Sequence, residues 1–387
     1  MDTLEKMNML GRSAQYDICT PSASPDKSSP LKTKDSLGHW IYPAALPGGK
    51  HVRLFKVLLT NACGKDCAYC ANRCSRDFSR CTFQPEELAG LFMTLHAGRR
   101  VQGLFLSSAI PESSSRTLDD MLKTAEILRR THRFSGYIHL KILPGARFDQ
   151  VERAIELSDR VSINLEAPNP ERLKKISADK DFQDLLLRMR WIKDLRAGGA
   201  SLPAGHTTQF VVGPSEEPDK EILETTARLY RSVGLSRAYF SAFQPVRGTP
   251  LEDCTPVSSL REHRLYQADF LLRRYGFRFE ELVFDPAGAL PTKADPKLAW
   301  ALAHPEGFPL EVNRASYEEL LRIPGIGPKS ASRIVRVRGK GLFHTIEELK
   351  GTGIAANRAA PFLLIGGRKE EAPKMPVQLE LWDIAHE

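Results

Sequence analysis

The sequence predicts an α/β fold, a partial or full parallel (β/α) barrel, followed by a small all-α domain. Three observations carry this. From His51 onward, short runs of β-forming residues alternate with amphipathic helical stretches, the pattern of a parallel sheet covered by helices. At 387 residues the chain is too long for one ordinary domain. Residues 311–369 contain an internal repeat and eleven Lys or Arg against five Glu, a surplus of six within a formal net charge of +8.

Residues 1–38 are polar and rich in Ser, Pro and Lys, and read as an irregular N-terminal extension apart from a short helix near Met7–Leu10. The barrel domain spans 39–283. Its expected strands are Phe55–Leu59, Gly103–Leu106, Tyr137–Ile142, Arg160–Leu165, Thr207–Val212 and Arg237–Phe243. Between them lie helical stretches at Pro85–Leu95, Leu118–His132, Gln150–Leu157, Phe182–Ala197 and Lys220–Val233. In such folds chemistry sits at the C-terminal ends of the strands. Arg261–Phe277 is one more amphipathic helix, and the Pro-rich residues 284–310 form a linker. In 311–369, Ser316 with Glu319 and Thr345 with Glu348 make two capping boxes, each opening a short helix. Residues 370–387 read as a flexible tail.

No run of 18 apolar residues occurs and no positively flanked apolar stretch opens the chain, so a cytoplasmic protein without membrane contact is expected. The basic balance suggests a polyanionic partner, and its concentration in the last sixth places that partner at the tail. Of seven cysteines, at 19, 63, 67, 70, 74, 81 and 254, five fall within 63–81. In a reducing compartment such a cluster favours metal over disulfides.

Thr60-Asn-Ala-Cys63-Gly-Lys-Asp-Cys67-Ala-Tyr-Cys70 directly follows the first strand, giving C-x3-C-x2-C in a loop at a strand's C-terminal end. Three thiolates this close can each hold one iron of a [4Fe–4S] cube and leave the fourth iron open to a ligand. The alternatives are a cluster closed by Cys74 or Cys81 and a zinc site, although the second C-x2-C pair common in zinc sites is absent. The plain reading of Cys74 and Cys81 is as buried small side chains.

The spacing, the aromatic Tyr69 and the strand context resemble the radical S-adenosylmethionine (SAM) superfamily. That resemblance implies a [4Fe–4S] cluster on Cys63, Cys67 and Cys70, with the amino and carboxylate groups of S-adenosylmethionine on the unique iron. It further implies a reducing electron donor and a 5′-deoxyadenosyl radical that abstracts hydrogen from a substrate. Tyr69 belongs to the same cofactor site. Ser107-Ser108-Ala109 stand where the family has a Gly-Gly-Glu run holding the methionyl amino group. Asn164 and Glu166 have the polar character expected for ribose contact, and the segment Gln209–Glu217 is similar to the family's G-x-I-x-G-x-x-E, with Val211 and Gly213 supporting the adenine.

Arg322-Ile-Pro-Gly-Ile-Gly-Pro-Lys-Ser-Ala331 resembles the helix–hairpin–helix motif of DNA repair and recombination proteins. Gly325 and Gly327 permit a tight hairpin and close backbone approach. The amides opening the next helix suit a phosphate oxygen, with Lys329, Ser330 and Arg333 beside them. The alternative is a hairpin used for protein contact or helix packing. A poorer second copy has Thr352 between Gly351 and Gly353 and no following Lys. Some DNA glycosylases also pair this hairpin with an iron–sulfur cluster, but through four widely spaced cysteines near the chain's end, a pattern this sequence lacks.

Gln378-Leu-Glu-Leu-Trp382 resembles the peptide by which bacterial polymerases and repair proteins dock on the sliding clamp. Gln378 would take one pocket and Leu381 and Trp382 an apolar one, unless the segment packs as a tail helix. From Met7 to Arg368 the chain resembles one bacterial family of radical SAM proteins with a fused helix–hairpin–helix tail, described as DNA modification or repair proteins. Arg261–Phe277 and Asp295–Asn313 carry that resemblance besides the cysteines. A radical enzyme acting on duplex DNA is therefore expected. RNA modification by the same chemistry and a non-catalytic iron–sulfur DNA adaptor are the alternatives.

Overall fold

A computed structural model describes residues 1–14, 41–45 and 51–369. The chain divides into two compact units, Met1–His263 and Arg264–Glu387.

The first unit is built on one sheet of seven strands in sequence order: β1 (Ile41–Ala45), β2 (His51–Leu58), β3 (Gly103–Ser107), β4 (Tyr137–Lys141), β5 (Arg160–Ser162), β6 (His206–Val212) and β7 (Arg237–Ala242). Strands β2 to β7 are parallel, and β1 pairs antiparallel with β2. Every residue of β3 and β6 is buried, the continuous burial that helices on one face and a filled interior on the other impose on a parallel sheet.

The covering helices are α2 (Pro85–Ala97), α3 (Ser114–Glu126, continued by one π turn), α4 (Phe148–Leu157), α5 (Pro170–Ile176), α6 (Phe182–Ala197) and α7 (Asp219–Ser232). Their apolar residues recur at helical spacing. In α3, Leu118, Met121, Leu122 and Ala125 are buried, and in α4, Val151, Ala154 and Ile155.

Two elements precede the first strand that the sequence predicts, one of them within the stretch 1–38 expected to be irregular. Strand β1 carries Pro43, which an edge strand accommodates because one row of its N–H groups has no partner strand. Helix α1 (Thr3–Ser13) is longer than the turn expected near Met7–Leu10. Asp2 and Glu5 form its capping box, Met7 and Leu10 are buried, and Lys6 pairs with Glu87 at 2.7 Å.

Helix α8 (Ser259–Arg274) follows β7. In the second unit, residues 284–310 hold α9 (Pro296–Ala303) and the start of β8 (Leu310–Glu311) rather than a bare linker. Leu298 and Ala301 of α9 belong to the unit's apolar core. The repeat forms α10 (Tyr317–Arg322), α11 (Pro328–Arg338), α12 (Ile346–Lys350) and α13 (Ala356–Ala359). Short strands β9 (Leu363–Ile365) and β10 (Arg368–Lys369) join β8 in a three-stranded sheet, an addition to the all-α domain expected. No described helix is long and apolar enough to cross a membrane.

Candidate active site

A cavity of about 410 Å³ opens at the C-terminal ends of the parallel strands. Leu58, Ser107, Lys141 and Ser241, at or near the ends of β2, β3, β4 and β7, line it, as do Gln209 and Val211 from β6. Cys63, Cys67 and Cys70 all face the same cavity. Ser13 of α1 contributes to its wall, so the N-terminal stretch is part of the site.

The loop carrying the cysteines is fixed from three sides. Leu59 N–H donates to the Ser107 carbonyl at 2.8 Å and Gly64 N–H to the Ile110 carbonyl at 2.7 Å. A β-carbon on Gly64 would collide with the Pro111 carbonyl. On the second side, the Arg80 guanidinium donates to the carbonyls of Asn61, Asn72, Arg73, Cys74 and Arg76 at 2.7–3.3 Å and lies 4.2 Å from the Phe78 ring centroid. Nearby, Arg73 and Ser75 hydrogen-bond Asp66 and hold its carboxyl far below the usual range.

The third side is the segment just after α5. Ala68 N–H donates to the Ile176 carbonyl at 2.8 Å, the Cys67 thiol lies 3.1 Å from the Ser177 hydroxyl, and Asp66 N–H meets the Asp179 carboxylate at 3.3 Å. Lys180 Nζ then donates to Tyr69 Oη at 3.3 Å and to Glu166 at 2.9 Å. Burial alone would lower the Lys180 pKa, but Glu166 and the Cys67 and Cys70 sulfurs outweigh it, so the ammonium stays charged. Burial, reinforced by Glu166, drives the Tyr69 hydroxyl up, so it stays protonated.

Burial also pushes the Cys70 thiol up to about 12, with Cys67 and Cys63 adding to the rise. Lys65 N–H and Asn72 N–H lie 3.4 Å from the Cys63 and Cys70 sulfurs, donors suited to thiolate acceptors. Among the described residues no three Cys, His, Asp or Glu side chains gather around a point where one metal ion would sit. A cube asks for something else, since each thiolate takes a separate iron. The donor set fits an open cluster: Cys74 and Cys81 do not line the cavity, and neither is the buried side chain expected, since Cys74 is exposed and Cys81 is half-buried 3.5 Å from the Met9 sulfur. Ser108 Oγ, on the cavity wall, is buried without a hydrogen-bond partner among the described residues, as a wall awaiting a polar ligand would leave it.

Tyr69, Ser107, Ser108, Asn164, Glu166 and Val211 all line this cavity, as the sequence predicted, but Gly213 does not. Its φ of +104° and its packing against Val257 explain the glycine, and its N–H donates to Glu217. Glu166, expected at the ribose, already holds an ion pair, with a φ of +64° that aims its side chain from a strained backbone. Lys180, Ser177 and Lys141 escaped the sequence reading. Ser177 and Lys180 belong to a connection more than 100 residues from the cysteines, and no local pattern marks them.

In the second unit, Gly325 has a φ of +86°, and Ala355 N–H donates to its carbonyl at 2.9 Å, so the first hairpin packs directly on the second copy. Gly327 is the N-cap of α11 in extended conformation, and Lys329 is exposed in the first turn. Ser330, expected at a phosphate, is instead buried, and its hydroxyl donates to the Gly353 carbonyl at 2.8 Å. Exposed Arg333 reaches the Thr352 carbonyl at 3.2 Å and so also ties the copies together. Lys297 of α9 is buried beneath the hairpin, donating to the Ile326 carbonyl at 2.5 Å and lying 4.7 Å from the Tyr275 ring centroid. Gln378, Leu381 and Trp382 lie outside the described residues.

The radical SAM superfamily matches residues 57–229, and a helix-hairpin-helix motif matches 309–353. No curated protein sequence matches the chain. Among solved structures, methylornithine synthase is 16% identical with a TM-score of 0.44 over 56% of this chain and 60% of its own length. The FeFe-hydrogenase maturase HydG from Carboxydothermus hydrogenoformans is 16% identical with a TM-score of 0.45, over 56% of this chain and 50% of its own. A radical SAM methyltransferase from Sphaerobacter thermophilus is 15% identical with a TM-score of 0.43, over 60% of this chain and 75% of its own. This chain thus spans less than two thirds of the length of the first two. Superfamily members use a [4Fe–4S] cluster and S-adenosylmethionine. With that match laid over the strand ends that gather Cys63, Cys67 and Cys70, the chain carries a radical SAM domain in its first unit and a helix–hairpin–helix motif in its C-terminal unit.

Proposed function

We propose that the chain modifies or repairs DNA by radical chemistry, in the reducing cytoplasm and with an external electron donor. The observation that carries this is one cavity lined by three cysteines and a polar wall, in a chain that also presents a hairpin with an exposed lysine at a helix N-terminus. When bound, the cluster on Cys63, Cys67 and Cys70 and its S-adenosylmethionine supply a 5′-deoxyadenosyl radical.

The chain's own residues do the rest. Ser107, Ser108 and Asn164 offer hydrogen bonds to the cofactor's polar groups, and Leu58, Val211 and Phe243 keep apolar surface around it. Lys180 keeps Glu166 and Tyr69 fixed. The amides opening α11, with Lys329 and Arg333, hold phosphates without reading sequence. Tethering the duplex in this way raises its local concentration at the barrel. A base inside a duplex is shielded, so the reacting nucleotide is extruded or already weakly stacked.

Competition between duplex DNA and duplex RNA of one sequence tests the substrate class. Preferential DNA binding that weakens steeply with salt supports the reading, and equal or stronger RNA binding transfers the chemistry to RNA. Gln378, Leu381 and Trp382 form the proposed sliding-clamp peptide, and deletion of 378–387 is expected to abolish clamp affinity; unchanged affinity removes that partner. Binding of DNA without cofactor cleavage would leave a non-catalytic adaptor.

A further inference from the structure

The first hairpin rests on a buried cation. Lys297, in the first turn of α9, is 8% exposed, and its Nζ donates to the Ile326 carbonyl beneath the turn. Its other neighbour is the face of the Tyr275 ring, whose hydroxyl burial keeps protonated. The carboxylate nearest in sequence, Asp295, is already taken: it accepts from Lys297 N–H and Leu298 N–H at 3.2 Å and pairs with Arg358 of α13. Arg322, at the end of α10, pairs with Glu281 at 2.9 Å. Among the described residues no carboxylate pairs with the Lys297 ammonium itself. Burying an ammonium in this way is costly.

The Ile326–Gly327 peptide carries the effect of that charge to the surface. In a trans peptide the carbonyl and the N–H point opposite ways, so the Ile326 oxygen faces Lys297 and the Gly327 N–H faces away from it. Gly327 is half-exposed as the N-cap of α11, and no acceptor among the described residues takes its N–H. Pro328 follows and has no N–H, so Gly327 supplies the first of the amides that open this helix. A carbonyl bonded to an ammonium polarises its amide and makes the N–H a stronger donor to an anion.

We propose that Lys297 is a positioning residue of the hairpin's phosphate site: through the Ile326–Gly327 peptide its ammonium strengthens the donor that meets a nucleic-acid phosphate, and the phosphate supplies the negative charge that the ammonium lacks. The inference rests on the reading of the hairpin as a nucleic-acid site. It ties duplex affinity to the protonation of a residue buried beneath the turn. Burial, with Arg358 and Arg322 acting the same way and Asp295 against them, pushes Lys297 down to about 7, so ammonium and amine are both populated near neutral pH. A phosphate on the hairpin favours the ammonium and raises that value. The protonated form therefore binds more tightly, and affinity falls as pH rises above about 7.

Fluorescence anisotropy of a labelled duplex on the full-length, cluster-reconstituted chain tests this at constant ionic strength. Wild-type affinity should fall about fourfold from about pH 7 to about pH 9. Lys297→Met should bind about fourfold more weakly than wild type at the lower pH, match it at the higher one, and show no fall between them. Lys297→Arg stays charged throughout and should also give a flat profile, so it assigns the fall if Lys297→Met does not fold. Lys329→Ala should bind more weakly at every pH and keep the fall. A flat wild-type profile, or a fall that survives the Lys297 substitutions, overturns the inference and leaves the hairpin site standing. No duplex binding at any pH, or binding that Lys329→Ala with Arg333→Ala does not weaken, overturns the hairpin reading and the inference with it.

Discussion

The cysteine loop and the first hairpin are both short glycine-containing turns, yet they are held in opposite ways. The loop is clasped by partners remote in sequence: Ser177 reaches Cys67 across 110 residues, and Lys180 reaches Tyr69 across 111. The hairpin is held by its own repeat, with Ser330 bonding Gly353 only 23 residues on. A centre that must exclude water and keep three sulfurs in place needs walls drawn from the whole barrel. A backbone anion site needs only a helix start presented at a surface, and a local repeat can supply that.

Substitutions can separate the two regions. The largest expected effect is at the cysteines. Cys67→Ala should reduce the iron bound after anaerobic reconstitution from about four per chain to near none, while duplex binding persists. Iron and sulfide assays beside a binding titration check this, and joint loss of both would make the two regions one folding unit.

Lys180→Met comes next, because it strands the Glu166 carboxylate in a buried position. A loss of about 3 kcal/mol in urea unfolding is expected, and adding Glu166→Gln should recover more than half of it. An unchanged midpoint would show that the clasp does not hold the loop.

At the hairpin, Lys329→Ala with Arg333→Ala should weaken duplex binding about tenfold and lower the salt slope by about 1 to 2, uniformly across sequences. Iron content should not change. Loss confined to one sequence would mean that base edges are read.

A further expected effect is a pH dependence of the second unit. Burial pushes Lys297 down to about 7, well below the ordinary lysine value of 10.5, with Arg358 and Arg322 acting in the same direction and Asp295 against them. The folded form therefore binds fewer protons than the unfolded form between these values. The destabilisation is complete below pH 7 and fades as pH rises toward 10.5. Thermal melts of wild type should rise over that window, and those of Lys297→Met should rise less. Parallel curves would show that Lys297 is not the titrating group.

The same contrast explains what could be read in advance. The strands and helices of the barrel were legible because alternating apolar patterns report burial, and the cysteine spacing was legible because cluster ligation is local. The repeat in 311–369 announced both helix starts, although only Ser316 and Glu319 close a full capping box; at Thr345 the hydroxyl accepts from Glu348 N–H while the Glu348 carboxylate accepts from His344 N–H instead. Strand β1 was not legible, since five residues containing Pro43 gain strand character only by pairing with β2. Gly213 was assigned to the cofactor because glycine signals close approach, but what approaches it is Val257. Ser330 was assigned to a phosphate because it opens a helix, yet the second copy takes its hydroxyl. Lys180 and Ser177 depend on a connection packed against a loop more than 100 residues away, which a linear pattern does not encode.

The most direct test of the central claim is anaerobic. The cluster is reconstituted and reduced, S-adenosylmethionine is added with and without duplex DNA, and 5′-deoxyadenosine is quantified by chromatography. Production that requires Cys63, Cys67 and Cys70 and rises with DNA is the predicted result. An intact, reduced cluster that yields none, with or without DNA, would contradict it.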